Sequence, residues 1–300
     1  LNIEVKMKSG FIAIVGRPNV GKSTLMNKLI SEKLAIISDK AGTTRDKIRG
    51  ISNIGENQYI FVDTPGIHKP LHLLGEYMTN TALESLEEVD VILFILDGTQ
   101  EISTGDLFIL EHIKKVNTPY IIVINKIDLL SDEEIKEKIN EIDEKFGKNY
   151  DNIITLSSEY SIGIHKIYDE CKKYLSSDIL YYPLDYYTDM PVNKIVVEVI
   201  REKLLLLTKD EIPHSIAVEI TNVLTKPNIR HYDVTIYVER ESQKGIIIGD
   251  KGSLIKQVGI LSRKEIEDLV GLKINLRLWV KVKKKWRKDP KFLKEMGYSN

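Results

Sequence analysis

The sequence holds 300 residues, 42% hydrophobic and 29% charged, a composition that fits a folded chain of about two domains and excludes disorder, collagen and a disulfide scaffold. The formal net charge of −1 hides a split: residues 1–180 carry 21 Lys and Arg against 28 Asp and Glu, residues 181–300 carry 22 against 16, and from Arg240 onward the count is 16 against 7. A basic C-terminal half suits a polyanionic partner, although such a charge run also describes a solvated face. The lone cysteine, Cys171, reads as a small buried hydrophobe rather than a zinc ligand or disulfide partner. No apolar run approaches the roughly 20 residues that span a bilayer, and the opening Leu-Asn-Ile-Glu-Val-Lys lacks the apolar core of a signal peptide, so a cytoplasmic location is expected.

Short, nearly continuous apolar runs at Phe11–Val15, Tyr59–Val62, Val91–Leu96, Tyr120–Ile124 and Ile153–Leu156 read as strands covered on both faces. Helical patterns at Lys22–Ile30, Gly75–Glu87, Thr104–Lys115, Asp132–Phe146 and Gly163–Leu175 alternate with them, which predicts an α/β fold with a doubly wound, mostly parallel sheet. Ile48–Ile54 pairs through a Gly55-Glu56-Asn57-Gln58 turn with Tyr59–Val62 and gives one antiparallel edge strand. The pattern lapses over Ser176–Pro191. The expected division is therefore a first domain over residues 1–178, a linker over 179–191 and a smaller α+β domain with a C-terminal tail over 192–300. In the latter, a helix at Val192–Leu207, strands at His214–Val223 and Tyr232–Arg240, a Gly-rich turn, a helix at Ser253–Leu269 and a strand at Lys273–Val282 give the order α-β-β-α-β, with a short helix after Pro290.

The strongest motif, Gly16-Arg-Pro-Asn-Val-Gly21-Lys22-Ser23, fits the P-loop pattern, follows a strand and opens a helix. Its glycines let successive N–H groups turn inward around phosphates, Lys22 reaches the β and γ phosphates, and the Ser23 hydroxyl ligates Mg²⁺. Gly16, Arg17, Pro18, Asn19, Val20, Gly21, Lys22, Ser23 and Thr24 are the expected phosphate cradle. Asp63-Thr64-Pro65-Gly66 ends the next strand of that unit, placing a carboxylate for the metal at the sheet edge and the Gly66 N–H where a γ-phosphate would lie. Asn125-Lys126-Ile127-Asp128 follows another strand at the same edge, where open α/β sheets bind ligands. The Asp128 carboxylate can accept from guanine N1–H and the exocyclic amine, a pair adenine does not offer, while Asn125 and the Lys126 stem brace the base and the P-loop. Ser157-Ser158-Glu159 can offer backbone N–H groups to guanine O6. The guanine pattern opposes an ATPase.

Strand, order and spacing together make residues 1–175 resemble the translation-factor-like GTPases, in the branch that includes Era, MnmE and EngA, with Thr43-Thr44-Arg45-Asp46 as its first switch. That resemblance implies Mg²⁺ held by Ser23, Thr44 and Asp63, with Thr43 the alternative to Thr44, and a catalytic set of Lys22, Asn19, Thr44 and Gly66. Asn19 matches a residue that holds K⁺ beside the phosphates in potassium-stimulated relatives; a turn residue after Pro18 is the other reading. Where Ras-like enzymes carry a water-orienting Gln, this chain has Ile67, an apolar substitution that Era-like proteins share. Glu159 stands where many relatives have Lys.

Gly249-Asp250-Lys251-Gly252, preceded by Ile246-Ile247-Ile248 and followed by a helix, resembles the G-x-x-G loop of a type II KH domain. Lys244, Ile248, Gly249, Asp250, Lys251, Gly252 and Lys256 are its candidate RNA contacts. A GTPase domain joined to a KH domain, ending in Leu278-Trp-Val-Lys-Val-Lys, resembles the Era family over nearly the whole chain. The resemblance implies GTP and GDP as ligands, binding near the 3′ end of small-subunit (16S) ribosomal RNA, a role in assembling the 30S subunit, a monomeric state and peripheral membrane contact. Two functions stand at this point: a hydrolytic switch, and a GTP-regulated RNA-binding scaffold whose hydrolysis is incidental.

Overall fold

The structure, a computed structural model, describes residues 7–36, 43–147, 153–209, 212 and 215–298. They form two compact units, the first comprising residues 7–35, 44–69 and 78–189, the second residues 70–77 and 190–298 together with 36 and 43.

In the first unit, β1 (Lys8–Val15), β2 (Ile48–Ile54), β3 (Asn57–Asp63), β4 (Val91–Asp97), β5 (Tyr120–Asn125) and β6 (Ile153–Thr155) make one sheet in the order β2-β3-β1-β4-β5-β6. All neighbours are parallel except β2 and β3. Every residue of β4 is buried, as a strand with helices on both faces requires. The unit's helices are α1 (Lys22–Ile30), α2 (Leu73–Glu84) from residue 78 onward, α3 (Thr104–Lys115), α4 (Asp132–Phe146) and α5 (His165–Cys171). Ser103 with Asp106 and Ser131 with Glu134 form reciprocal capping boxes that set the starts of α3 and α4. Because β1, β3, β4 and β5 are parallel, the loops that follow them all leave the sheet at its carboxyl edge.

The stretch 179–191, expected as a linker, is ordered as a strap within the first unit as far as Asp189. The Ile51 N–H donates to the Tyr187 carbonyl at 2.9 Å, Gly50 bridges Thr188, and Arg49 pairs with Asp189 at 3.0 Å, so the open edge of β2 is covered. Gln58, fully buried, holds the strap's other end. Its Oε1 accepts from the N–H groups of Tyr181 and Tyr182, both at 3.0 Å, and its Nε2 donates to the Tyr182 carbonyl at 2.9 Å.

The second unit follows a KH plan. Strands β7 (Ala217–Lys226), β8 (Ile229–Val238) and β9 (Lys273–Val282) form a sheet in that order, antiparallel then parallel. Helices α6 (Val192–Leu207), α7 (Glu241–Ile248) and α8 (Ser253–Val270) contribute Val196, Ile200, Leu204, Ile247, Val258 and Ile266 to a core over Tyr232, Val234, Ile236 and Val238. The short helix α9 (Pro290–Glu295) starts on an Asp289 cap. The order is therefore α-β-β-α-α-β. Helix α7 was expected only as a turn, since its Ile246-Ile247-Ile248 run has strand character. It forms because the Gln243 side chain accepts the otherwise orphaned N–H groups of Glu239 and Arg240 and because Ile247 is fully buried. The β7–β8 hairpin is longer than expected, with β8 starting at Ile229, and His214, the expected start of β7, lies outside the described residues. No helix among the described residues is long and apolar enough to cross a membrane.

Gln58→Ala leaves two strap N–H groups without their partner and should destabilise the first unit by about 2 kcal/mol. Hydrogen exchange at Tyr181 and Tyr182 should accelerate well before global unfolding; unchanged protection there would show that the strap is held by β2 alone.

Candidate functional site: a phosphate loop, a metal-binding cluster and a KH groove

The P-loop runs from the end of β1 into the first turn of α1 and is fixed by a buried neighbour. Asn125, fully buried at the end of β5, donates from Nδ2 to the Val20 carbonyl (2.8 Å) and to Ser158 Oγ (2.9 Å), and its Oδ1 accepts the Ser158 N–H (2.9 Å). The amide lies so close to Gly21 that a Cβ there would sit 2.2 Å from Nδ2, and Gly21 has φ +96 besides. No other residue fits that position. Lys22, buried at the mouth of α1, donates to the carbonyls of Gly16 (3.0 Å) and Arg17 (2.8 Å). Burial pushes the pKa of its ammonium down to about 8, against the attraction of Asp63. Asn19 is exposed at the rim with φ +66, Val20 is buried, and Thr24 is half-buried on α1.

Asp63 closes β3 opposite Ile14 of β1. Its Oδ2 accepts from Ser23 Oγ at 2.7 Å and Thr44 Oγ1 at 3.3 Å, and the two hydroxyls are 3.0 Å apart. Its Oδ1 is buried without a hydrogen-bond partner, and burial raises the carboxyl pKa against the pull of Lys22, Ser23, Thr44 and the Thr64 amide. One carboxylate and two hydroxyls converging beside an orphaned oxygen are the hard-oxygen donor set that Mg²⁺ takes when phosphates and water complete its shell. The group fits. Thr43 is buried too, but Thr44 is the residue whose hydroxyl joins the cluster. Downstream, Thr64 Oγ1 donates to the Ile14 carbonyl (2.8 Å), the Ile67 N–H donates to the Gly16 carbonyl (3.3 Å), and Gly66 packs so tightly that a Cβ would meet Pro18 Cγ at 2.8 Å. The Asp63–Gly66 loop is thereby zipped to the P-loop. Ile67 itself points into the core with Ala13 and Val15.

Among the guanine-reading elements, the Asn125 side chain joins the P-loop to the Ser158 loop from a fully buried position. The Ser157 N–H donates to the Ile162 carbonyl and the Ser158 N–H to Asn125 Oδ1. Asp128 is exposed at the mouth, on the turn Ile127–Leu129.

In the second unit, Gly249 (φ +72), Lys251 (φ +49) and Gly252 (φ +80) turn the chain between α7 and α8, with Asp250 and Lys251 exposed at the tip. Between α8, the helix that follows the loop, and β9 lies a groove of about 350 Å³ lined by Ile255, Lys256, Gly259, Ile260, Arg263, Asn275, Leu276 and Leu278. Lys256 is a wall of it. Lys244 and Ile248 are half-buried on α7.

The chain matches the family described as 50S ribosome-binding GTPase over residues 11–126 and the KH domain family over residues 211–287. It is 58% identical over 294 residues to the GTPase Era of Fusobacterium nucleatum, covering 97% of this chain and 99% of that protein. It belongs to the Era family of GTPases. Two solved structures are each 41% identical to it over 98% of this chain and 100% of theirs. They are a point variant of Aquifex aeolicus Era bound to GDP.AlF4- (TM-score 0.93) and Era in complex with MgGDPNP and nucleotides 1506-1542 of 16S ribosomal RNA (TM-score 0.94).

Around the Era-family motifs the structure adds residues that pattern reading missed. Asp97, at the end of β4, pairs with Lys126 at 2.6 Å; burial raises its carboxyl pKa, but the Lys126 and Thr99 hydrogen bonds outweigh burial and hold it below its ordinary value. Arg17 of the P-loop pairs with Asp106 of α3 at 2.9 Å and reaches Gln100 at 3.1 Å. Both carboxylates belong to the β4–α3 unit, Asp97 at the end of the strand and Asp106 in the first turn of the helix, and only their place next to the motif strands could have marked them.

Phosphate charge favours the protonated Lys22, so ligand binding should raise its pKa. Below pH 8 the ammonium is charged with or without nucleotide and affinity is flat. Above pH 8 the free protein loses the proton, binding must restore it, and affinity should fall by up to about tenfold per pH unit. Calorimetry of GDP binding at about pH 9 in two buffers of different ionisation heat should detect uptake of close to one proton, absent in Lys22→Arg. Equal heats would place the lysine away from the phosphates.

Proposed function

We propose that the protein is a GTP-hydrolysing switch that binds single-stranded RNA at the 3′ end of the small-subunit ribosomal RNA and acts in small-subunit assembly. The observation that carries the nucleotide half is the hydrogen-bonded cluster of Ser23, Thr44 and Asp63 beside the buried Lys22. Lys22 meets the β and γ phosphates, the Gly66 N–H faces the γ-phosphate, and the P-loop from Gly16 to Thr24 surrounds the rest. Ser23, Thr44 and Asp63 hold Mg²⁺, which when bound neutralises charge on the phosphate oxygens. Thr44 and Asp63 are therefore the residues whose contacts differ between the triphosphate and diphosphate states. Asn19, at the exposed rim, supports potassium as a second cation. Asp128 reads guanine, with the Glu159 N–H toward O6. The relatives known as Era, one of them solved with MgGDPNP and 16S rRNA, support the same assignment.

The α8–β9 groove carries the RNA half. The Gly249–Gly252 turn lets the RNA backbone approach, Lys251, Lys256 and Arg263 meet phosphates, and Ile255, Ile260, Leu276 and Leu278 receive bases. The scaffold reading keeps one specific support: Ile67, 1% exposed, offers no polar atom to the attacking water. Phosphate release from GTP, measured with and without an RNA of the ribosomal 3′-end sequence, separates the two. Sustained turnover supports the switch, and bound GTP that stays intact in both arms supports the scaffold.

Asp128→Asn should exchange guanine for xanthine selectivity, because the amide offers a donor where xanthine carries O2 in place of the amine. Competition between GTP and XTP reads this directly, and a variant that still prefers GTP would move base recognition elsewhere.

Lys251→Asp keeps a residue that tolerates the left-handed backbone and puts a second carboxylate beside Asp250. RNA affinity should fall at least about tenfold at low salt, with the loss shrinking as salt rises, and GDP affinity should not change. Wild-type RNA binding would reduce the basic second unit to a solvated face.

A further inference from the structure

The carboxyl edge of the first unit's sheet holds a fixed carboxylate beside the Asn125–Asp128 motif. Asp97 closes β4 and lies opposite Asn125 in the parallel β4–β5 register, and the next residue, Gly98, donates its N–H to the Asn125 carbonyl at 2.9 Å. The Asp97 side chain is 1% exposed and both of its oxygens are engaged. Oδ1 accepts the Thr99 N–H at 3.0 Å and the Thr99 hydroxyl at 2.7 Å, while Oδ2 accepts from the Lys126 ammonium at 2.6 Å. The two Thr99 bonds fix the rotation of the carboxylate. The point at which Lys126 is caught is therefore set by the end of β4 and not by the lysine.

Lys126 is unusual at both ends. Its backbone is left-handed, with φ +66, between the end of β5 and the turn Ile127–Leu129. Its side chain is 32% exposed, and a lysine so placed ordinarily sends its ammonium into water. Here the head is turned onto a carboxylate that water barely reaches, so the methylene stem is held between two fixed ends, the left-handed backbone and Asp97. Two residues further on, Asp128 is exposed at the mouth of the site. The tethered stem thus flanks the place where a base would meet Asp128.

We propose that Asp97 is a positioning residue for the nucleotide: without touching the ligand, it holds Lys126 so that the methylene stem lies ready against one face of the guanine ring. This inference rests on the guanine-reading assignment of Asn125–Asp128. A lysine stem has many rotamers, and a free one would be ordered only at the moment of binding, at the expense of affinity. A stem tethered in advance is ordered already. Because it meets the face of the ring, it adds hold without selectivity. Asp128 reads the edge of the base, and Asp97 sets how long the base stays.

The test is the dissociation rate of N-methylanthraniloyl-GDP from the full chain in the presence of Mg²⁺. Asp97→Asn keeps the size of the side chain and an acceptor for Thr99 but turns an amide donor toward the Lys126 ammonium, and GDP should leave about tenfold faster. Affinity for tripolyphosphate, which has phosphates and no base, should stay within about twofold of wild type. The ratio of GDP to IDP affinity should also hold, since IDP lacks only the exocyclic amine that Asp128 reads. Lys126→Met keeps an unbranched stem without the charge and should release GDP about as fast as Asp97→Asn. The double variant should be no faster than either single one, because both remove the same tether. Wild-type release from Asp97→Asn, or a double variant whose loss is the product of the two single losses, overturns the proposal. So does an equal loss of tripolyphosphate and GDP, which would make the pair a strut of the fold. The two readings fail separately: if Lys126→Met leaves GDP release unchanged, the stem does not meet the base and both fall, whereas if it speeds release and Asp97→Asn does not, only the role of Asp97 falls.

Discussion

The nucleotide site depends on one buried carboxamide. Asn125 spends its donors on Val20 and Ser158 and its acceptor on the Ser158 amide, so three loops from β1, β5 and β6 are joined through one side chain that water cannot reach. In a buried position each of those bonds is costly to leave unmade, which makes the joint stiff. The absence of a side chain at Gly21 follows from it, and the Ser158 N–H belongs to the same joint. The parallel sheet brings the loops to one edge; Asn125 sets their spacing.

Electrostatics at that edge is unbalanced in a way that suits a ligand. Burial drives the Lys22 ammonium toward its neutral form and the Asp63 carboxylate toward its own, and their attraction offsets the two penalties only in part. A polyphosphate with a divalent cation supplies what each lacks, anionic oxygens for Lys22 and a cation for the orphaned Asp63 Oδ1. Binding that relieves a strain already present in the folded state also stabilises that state by mass action. The same cluster ties nucleotide chemistry to the first switch, since Thr44 reaches Ser23 and Asp63 through its hydroxyl alone.

The architecture of the first unit was legible because its strands are buried on both faces and therefore read as unbroken apolar runs, and because the P-loop, Asp63–Gly66 and Asn125–Asp128 each follow one of them. Contacts between different βα units were not legible. Arg17 with Asp106 and Lys126 with Asp97 join residues far apart in sequence, and nothing local marks either carboxylate. The strap was hidden for the opposite reason: Pro183 and the tyrosines around it carry no periodicity, and its order comes from Gln58 and the edge of β2. Helix α7 was obscured by three consecutive isoleucines with strand propensity, overridden by a Gln243 cap and by burial of Ile247 against the sheet. In each case tertiary packing decided what local pattern could not.

Ile67 shows how a departure from a familiar pattern has a structural cause. The residue after Gly66 donates its N–H to the Gly16 carbonyl while its side chain joins the core cluster that holds Ala13, Val15 and Phe94. That side chain helps fix the Asp63–Gly66 loop against β1, and a polar residue in the same place would bury an amide among apolar neighbours. A hydrophobic anchor and a water-orienting side chain cannot occupy one position. Here the anchor holds it, so on the assignment proposed above the polar groups left to face a γ-phosphate are the Gly66 N–H, Lys22 and Thr44, beside a loop whose packing Ile67 helps to fix. Positioning by backbone and cation, with little reorganisation left for the reacting state, is the form of phosphoryl-transfer catalysis that assignment implies.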